Sequence, residues 1–393
     1  MKFPADFIWG TATASYQIEG NNTNTDWWNW ENNKKRGQRY PLETSSLACD
    51  SYNRYEEDFE LCKQLNNNAV RISIEWARLE PLEGKFDYRE FAHYKKVLSA
   101  AKDRGLKTFV TLHHFTNPLW FSKKGGWVNV NAPKYFSRYA KECAKELGPF
   151  VDVFLTINEP QVLALMAYTI GRWPPNQINP ISSLICQINF MRAHNKAYKQ
   201  IKAQGKHEVG IVKNIVWYEP YEKIPYFWDV ITAKFIFWLN SDFFLKPIIK
   251  NVDLIGLNYY FTNQVKNFSL VHPPGMVSNL NWWINPDGLK QILIYLKKFN
   301  LPIYITENGL ADSQDKLRES FIKNMLSASY EAMKEGSQLK GYFHWSLIDN
   351  YEWHEGFWPK FGLVAIDRKT LDRKPRKSFY YYSKICNNNS LDD

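Results

Sequence analysis

The sequence predicts a closed parallel (β/α)8 barrel, and three observations carry that expectation. Apolar, strand-like segments alternate with amphipathic helical stretches along all 393 residues, with no linker or low-complexity break. Eight strands and about eight helices in strict alternation suit a sheet closed on itself better than an open one. Nearly every strand candidate also ends in or beside a polar residue, and the carboxyl ends of the strands are where such barrels carry their chemistry. An open doubly wound sheet is the alternative. However, the first strand runs into Gly10-Thr11-Ala12-Thr13-Ala14-Ser15, which is no Gly-rich phosphate loop. We expect one barrel domain over residues 1–393, with 387–393 as a disordered tail.

Taken in order, the strands are expected at Phe7–Gly10, Ala69–Ile74, Lys107–Leu112, Val153–Ile157, Val209–Val212, Leu254–Leu257, Ile303–Thr306 and Gly341–Trp345. Each is a short apolar run of the kind a strand buried on both faces requires. Between them, Asp87–Arg104 sets Phe91, Tyr94, Leu98 and Ala101 on one helical face, and Asp287–Phe299 does the same with Leu289, Ile292, Leu296 and Phe299. Lys134–Leu147, Leu184–Ala203, Asp315–Glu335 and Arg376–Ile385 are the remaining helix candidates.

The strand ends supply the candidate site. Gln17 follows strand one, Arg71 lies within strand two and His114 follows strand three. Asn158 and Glu159 follow strand four, Asn258 and Tyr260 follow strand six, and Glu307 follows strand seven. Trp345 closes strand eight, with Glu352 and Trp353 in the loop beyond, while strand five offers no candidate. Glu159 and Glu307 each end an apolar strand, where a carboxylate is costly unless something uses or pairs it. Two carboxyls converging from separate strands suit glycosidic-bond hydrolysis, one protonating the leaving oxygen and the other attacking the anomeric carbon. For either glutamate alone, a structural ion pair is an equal alternative.

Composition narrows the class. The chain is 45% hydrophobic and 16% aromatic, and its 16 Trp and 23 Tyr are well suited to the CH-rich faces of sugars, although many serve the core. The net charge of +10 is spread among acidic residues, and the densest basic clusters, Lys34-Lys35-Arg36 and Arg368 to Lys377, read as solvated surface. We therefore expect no nucleic-acid partner. The five cysteines show neither metal-ligand spacing nor a disulfide framework, so no metal and no other cofactor is expected. No apolar run reaches membrane-spanning length and no secretory signal is visible at the N-terminus, so a cytoplasmic protein with no membrane partner is expected.

Several runs resemble glycoside hydrolase family 1, the retaining β-glycosidases. They are FPADFIWGTATASYQIEG from Phe3, Thr111 to Phe115, TINEP from Thr156, Gly256 to Tyr260, ITENG from Ile305, and GYFHWSLIDNYEWHEGFWPKF from Gly341 to Phe361. The resemblance implies that Glu159 is the general acid/base and Glu307 the nucleophile, with Arg71, Asn258 and Tyr260 supporting the nucleophile. It further implies that Gln17, His114, Asn158, Trp345, Glu352, Trp353 and Phe361 bind the sugar, Trp345 as an aromatic floor. The partners would then be small β-glycosides or oligosaccharides.

The chain departs from the family in length, being shorter between Pro160 and His194, between Asn214 and Asp253, and between Tyr260 and Trp282. It also reads Phe-Thr-Asn-Pro from Phe115 to Pro118, where many relatives carry an aromatic, Asp, Leu and Pro. Glu352-Trp353 stands where the phospho-glycosidases carry a Ser and Lys pattern, which favours an unphosphorylated glycone. The expectation is a retaining exo-β-glycosidase, foremost a β-glucosidase with galactoside or fucoside side activity, its two carboxyls about 5–5.5 Å apart. A transglycosidase using the same intermediate and an inactive carbohydrate-binding barrel are the alternatives.

Overall fold

The computed structural model describes residues 1–33, 43–222, 224–272 and 275–392. Eight parallel strands close into a barrel: β1 Ile8–Ala12, β2 Ala69–Ser73, β3 Lys107–His113, β4 Val153–Asn158, β5 Glu208–Asn214, β6 Leu254–Asn258, β7 Ile303–Asn308 and β8 Leu339–Trp345. Closure is made by β1, which pairs with β2 through Gly10↔Ala69 and with β8 through Ile8↔Gly341. The helices that follow the strands are α1 Ser51–Gln64, α2 Tyr88–Asp103, α3 Ala132–Leu147, α4 Pro180–Lys202, α5 Phe227–Asn240, α6 Pro286–Leu296, α7 Arg318–Lys334 and α8 Lys377–Asn388.

The sequence gives physical reasons for these boundaries. Asp87 caps α2 by accepting from the Arg89 N–H, and Phe91, Tyr94, Leu98 and Ala101 are buried as their spacing predicts. Asn179 caps α4, its side chain accepting from the N–H groups of Ile181 and Ser182, with Pro180 in the first turn where its missing donor does no harm. Inside the barrel, Ile8, Ala69, Phe109, Val153, Leu155, Leu254 and Phe343 pack together. Gly10 makes room for this layer: a Cβ there would lie 2.5 Å from the Phe343 ring.

Several expectations are corrected. Strands β4, β6 and β7 run on through Asn158, Asn258 and Asn308, because inside a closed sheet the backbone groups of polar residues must be paired like any others. The helix expected over Asp287–Phe299 ends at Leu296, and Phe299 falls in a short 3-10 turn. The 387–393 tail is ordered through 392: α8 reaches Asn388, Ser390 bridges to Lys2 and Leu391 is buried. The Arg368–Lys377 cluster is not simply solvated, since Arg373 pairs with Asp58 and Arg376 with Asp349, all four side chains being largely buried. Lys34-Lys35-Arg36 lies outside the described residues. Helix α5 had no amphipathic signature because it is apolar on nearly every side. Two small sheets also lay outside the reading: Trp217–Pro220 with Thr262–Lys266 and Ser269–Val271, and Val364–Ile366 with Arg373–Pro375.

Candidate active site

Glu307 sits on β7 opposite Asn258 of β6, where the strand register is irregular. Its carboxylate is bracketed by two donors: Arg71 Nη1 at 2.5 Å from Oε1, and the Tyr260 hydroxyl at 2.6 Å from Oε2. Arg71 points into the barrel from β2 and is fully buried. Its guanidinium also donates to Thr111 Oγ1, the Thr306 carbonyl and Asn158 Oδ1. A buried cation held this way pairs with the carboxylate in charge-assisted bonds.

Glu159 follows β4 at φ +44°, in the left-handed region that a residue with a side chain adopts at a cost of about 1–3 kcal/mol. Pro160 opens a short helix immediately after it, Pro160–Ala164, while the Glu159 N–H bonds the Val212 carbonyl at 3.0 Å. The turn therefore aims the side chain into the mouth of the barrel. Burial pushes the Glu159 carboxyl up to about 8, and the negative charge of Glu307 pushes in the same direction.

The donor-only nature of arginine fixes the orientation of the amides around it. Because Arg71 Nη2 can only donate, the atom of Asn158 facing it must be oxygen, so Asn158 Nδ2 faces His114 Nε2 at 3.2 Å and donates to it. The His114 proton then belongs on Nδ1, a buried atom with no partner among the described residues. Burial first, and Arg71 second, hold this imidazole well below its ordinary range, so it is neutral. The same logic turns Asn258: its Nδ2 donates to Asn158 Oδ1 at 3.2 Å and to Glu159 Oε1 at 2.7 Å, while its Oδ1 accepts from Thr306. With Oε1 accepting, the proton of Glu159 sits on Oε2.

The other sequence candidates gather at the same mouth. Gln17 Nε2 donates to Asn350 Oδ1, the Tyr351 carbonyl and Glu352 Oε2, at 2.9, 2.9 and 3.3 Å, and its Oε1 is buried without a partner among the described residues. Unpartnered buried polar atoms at Gln17 and His114 are what a hydroxyl-rich ligand satisfies. Burial raises the Glu352 carboxyl to about 8, with Glu307 the next cause. The rings of Trp345 and Trp353 lie nearly parallel to His114, at 6.1 and 6.0 Å. Trp353 is wedged among Tyr16, Trp27 and Phe115, so the surrounding core fixes its position. Phe361 packs at 6.2 Å from Tyr260 and 6.1 Å from Trp282.

Sequence reasoning missed Asn214, which ends β5 and whose amide favours the ionised form of Glu159, and Asn350, which holds Gln17. A signal for Asn214 was present: strands four, five, six and seven all end in asparagine, at Asn158, Asn214, Asn258 and Asn308. The departure at Phe115 to Pro118 serves the fold. Thr116 donates to Glu75, and Asn117 joins Asp26, His113 and Trp127. Among the described residues no group of three or more His, Cys, Asp or Glu could hold a metal ion.

A (β/α)8 barrel with two buried glutamates of unlike surroundings at the strand ends is the arrangement that glycoside hydrolases use, and similarity to known proteins places the chain in that class. The family profile described as Glycosyl hydrolase family 1 matches residues 1–252 and 245–391. The chain is 32% identical to the Beta-glucosidase A of Thermotoga maritima over all of this chain and 99% of that one. It is also 30% identical to the Beta-galactosidase of Pyrococcus woesei over 99% of this chain and 98% of that one. The structure of the beta-glycosidase from Pyrococcus horikoshii superposes with a TM-score of 0.93 at 35% identity, covering 100% of this chain and 96% of that one. That of the Thermotoga maritima beta-glucosidase in complex with glucoimidazole gives 0.93 at 30% identity, covering 99% and 100%. The chain belongs to glycosyl hydrolase family 1. It is a short member: its alignment with the Thermotoga enzyme runs over 449 positions, against 393 residues here.

Proposed function

We propose that the protein is a retaining exo-β-glycosidase acting chiefly on β-glucosides, with galactosides and fucosides as secondary substrates. The unequal surroundings of the two glutamates carry this reading. Glu307 is paired with a cation and a phenol, whereas the side chain that hydrogen-bonds Glu159 is the neutral amide of Asn258, and Glu159 is raised to about 8. Environments that push two carboxyls apart separate nucleophile from acid.

In the first step Glu307 attacks the anomeric carbon while the Glu159 Oε2 proton passes to the departing glycosidic oxygen, leaving a covalent glycosyl ester and a free alcohol. Esterification removes the charge on Glu307. The pKa of Glu159 then falls, so it can take a proton from water as that water attacks from the opposite side. Gln17, His114 and Glu352 are suited to hold the glycone hydroxyls, and Trp345 and Trp353 to flank its faces. A relative named for glucosides and another named for galactosides support a site tolerant of both configurations.

Anion rescue tests the roles. With Glu307→Gly and azide, activity on an activated aryl glucoside should return with the α-glucosyl azide as product, from a single inversion, whereas Glu159→Gly should give the β-azide. The opposite pairing of anomers would mean that the two roles are exchanged. Absence of rescue in both variants would refute the covalent route.

A further inference from the structure

Among the described residues, no other element covers the outer side of α5. Phe227, Trp228, Ile231, Phe235, Trp238 and Leu239 project from it, Phe227 69%, Trp228 60% and Phe235 57% exposed. Lys234 is the only charged residue on that side, because Asp229 is buried. Scattered exposed apolar residues are ordinary, but a whole helix face of them marks an interaction surface. The face extends to its neighbours. Gln161 donates both to Gln187 of α4 and to the Leu239 carbonyl at the end of α5, beside the exposed Ile181, Leu184 and Ile185. At the other end, Asp229 accepts from the backbone of Phe268, whose ring is also exposed.

Charge identifies the occupant. Between Pro160 and Ile201 the sequence holds Arg172, Arg192, Lys196 and Lys199 but no aspartate or glutamate, and Arg192, Lys196 and Lys199 are exposed at helical spacing on the stripe of α4 that carries Ile181 and Ile185. Among the described residues, no ion pair involves residues 160–201 or 224–241, although the remainder of the molecule is rich in them. A second copy meeting this face would bring the same unpaired positive charge and no carboxylate to answer it. A surface that is apolar inside and negative at its headgroups answers both features.

We propose that this face docks the protein on an anionic lipid surface, with α5 lying in the plane of the headgroups and its aromatic rings in the interface. Among the described residues no helix is long and apolar enough to cross a membrane, and interfacial docking needs none. The helix Pro160–Ala164, which carries Gln161, starts immediately after Glu159, so the docked face borders the barrel mouth.

Co-sedimentation of the full-length protein with vesicles tests this, using phosphatidylcholine alone or mixed equally with phosphatidylglycerol, at low and high salt. The protein should sediment with the anionic vesicles and at least about tenfold more weakly with the neutral ones, and salt should weaken the binding. The triple variant Trp228→Gln, Phe235→Gln, Trp238→Gln should lose about tenfold or more while keeping its aryl-glucosidase activity and melting temperature, because all three side chains are exposed. Lys234→Glu, a milder change, should weaken binding to the anionic vesicles alone. No sedimentation of the wild type with either vesicle would overturn the proposal. So would equal binding by the triple variant, which would mean attraction by charge without the apolar face. A dimer that the triple variant dissociates, in the absence of vesicle binding, would identify the face as a contact between copies.

Discussion

Replacing Glu159 by Gln removes one proton and little else. The amide oxygen can still accept from Asn258 Nδ2, which lies 2.7 Å from Oε1, so the positioning network survives. What disappears is the transferable proton on the other oxygen, held by a carboxyl raised from 4.5 to about 8. General acid catalysis is worth about 10²–10⁴-fold, or roughly 3–5 kcal/mol of barrier. On a disaccharide, whose leaving oxygen needs protonation, kcat/KM should therefore fall about a thousandfold. On a dinitrophenyl glucoside, whose leaving group departs unaided, it should stay within about tenfold. The wild-type profile should decline above pH 8 for the disaccharide, and the variant should lack that decline.

The same carboxyl makes a stability prediction whose sign is fixed by the direction of its shift. The native state holds this proton up to about pH 8, whereas the unfolded chain releases it near 4.5. The favourable contribution of the neutral carboxyl is thus fully present below 4.5 and is lost as pH rises through 8. Gln carries no such dependence, so the variant should gain on the wild type across that window. The upper bound is about 5 kcal/mol, which for a chain of this length is roughly 6 °C in melting temperature at pH 8 to 9. Melting curves and kcat/KM on both substrates at successive pH values make the test. Equal loss on the two substrates, or a melting difference that does not change with pH, would refute the assignment.

Further consequences follow from the same geometry. Glu352→Ala removes the acceptor beside Gln17 and should cost glucoside and galactoside alike about 2–4 kcal/mol in kcat/KM, read from initial rates; unchanged values would put Glu352 outside the glycone site. Arg71→Met strips the cation from a buried pair and should destabilise the fold by about 3–5 kcal/mol in denaturant titration, with near-complete loss of activity. Arg71→Lys should fail to restore activity, because a single ammonium cannot reach Glu307, Thr111 and Asn158 together. The segments expected to be shorter than in the family, between Pro160 and His194, between Asn214 and Asp253 and between Tyr260 and Trp282, should leave less wall for the leaving group, so β-1,2, β-1,3, β-1,4 and β-1,6 disaccharides should be cleaved with similar kcat/KM. A hundredfold preference for one linkage, about 3 kcal/mol, would contradict this.

Much of this was legible in the chain alone, for physical reasons. Strands buried on both faces must be short apolar runs and their helices must show a 3.6-residue stripe, so the barrel and its order could be read directly. The polar residues at the strand ends stood out because a carboxylate or arginine in such a place demands a use. Helix α5 was illegible because a helix apolar all round carries no periodicity, and the order of the chain end beyond Asn388 depends on a pairing with Lys2 almost four hundred residues away. The chemistry of the site was likewise decided by tertiary contacts. The runs TINEP and ITENG assign the two roles by resemblance, but the apolar strand residues around Glu159 and Glu307 carry no electrostatic difference of their own. Only the closed barrel brings Arg71 and Tyr260 to one glutamate and leaves the other to Asn258 and burial, and an electrostatic difference of that kind exists only once residues distant in sequence share a low-dielectric space.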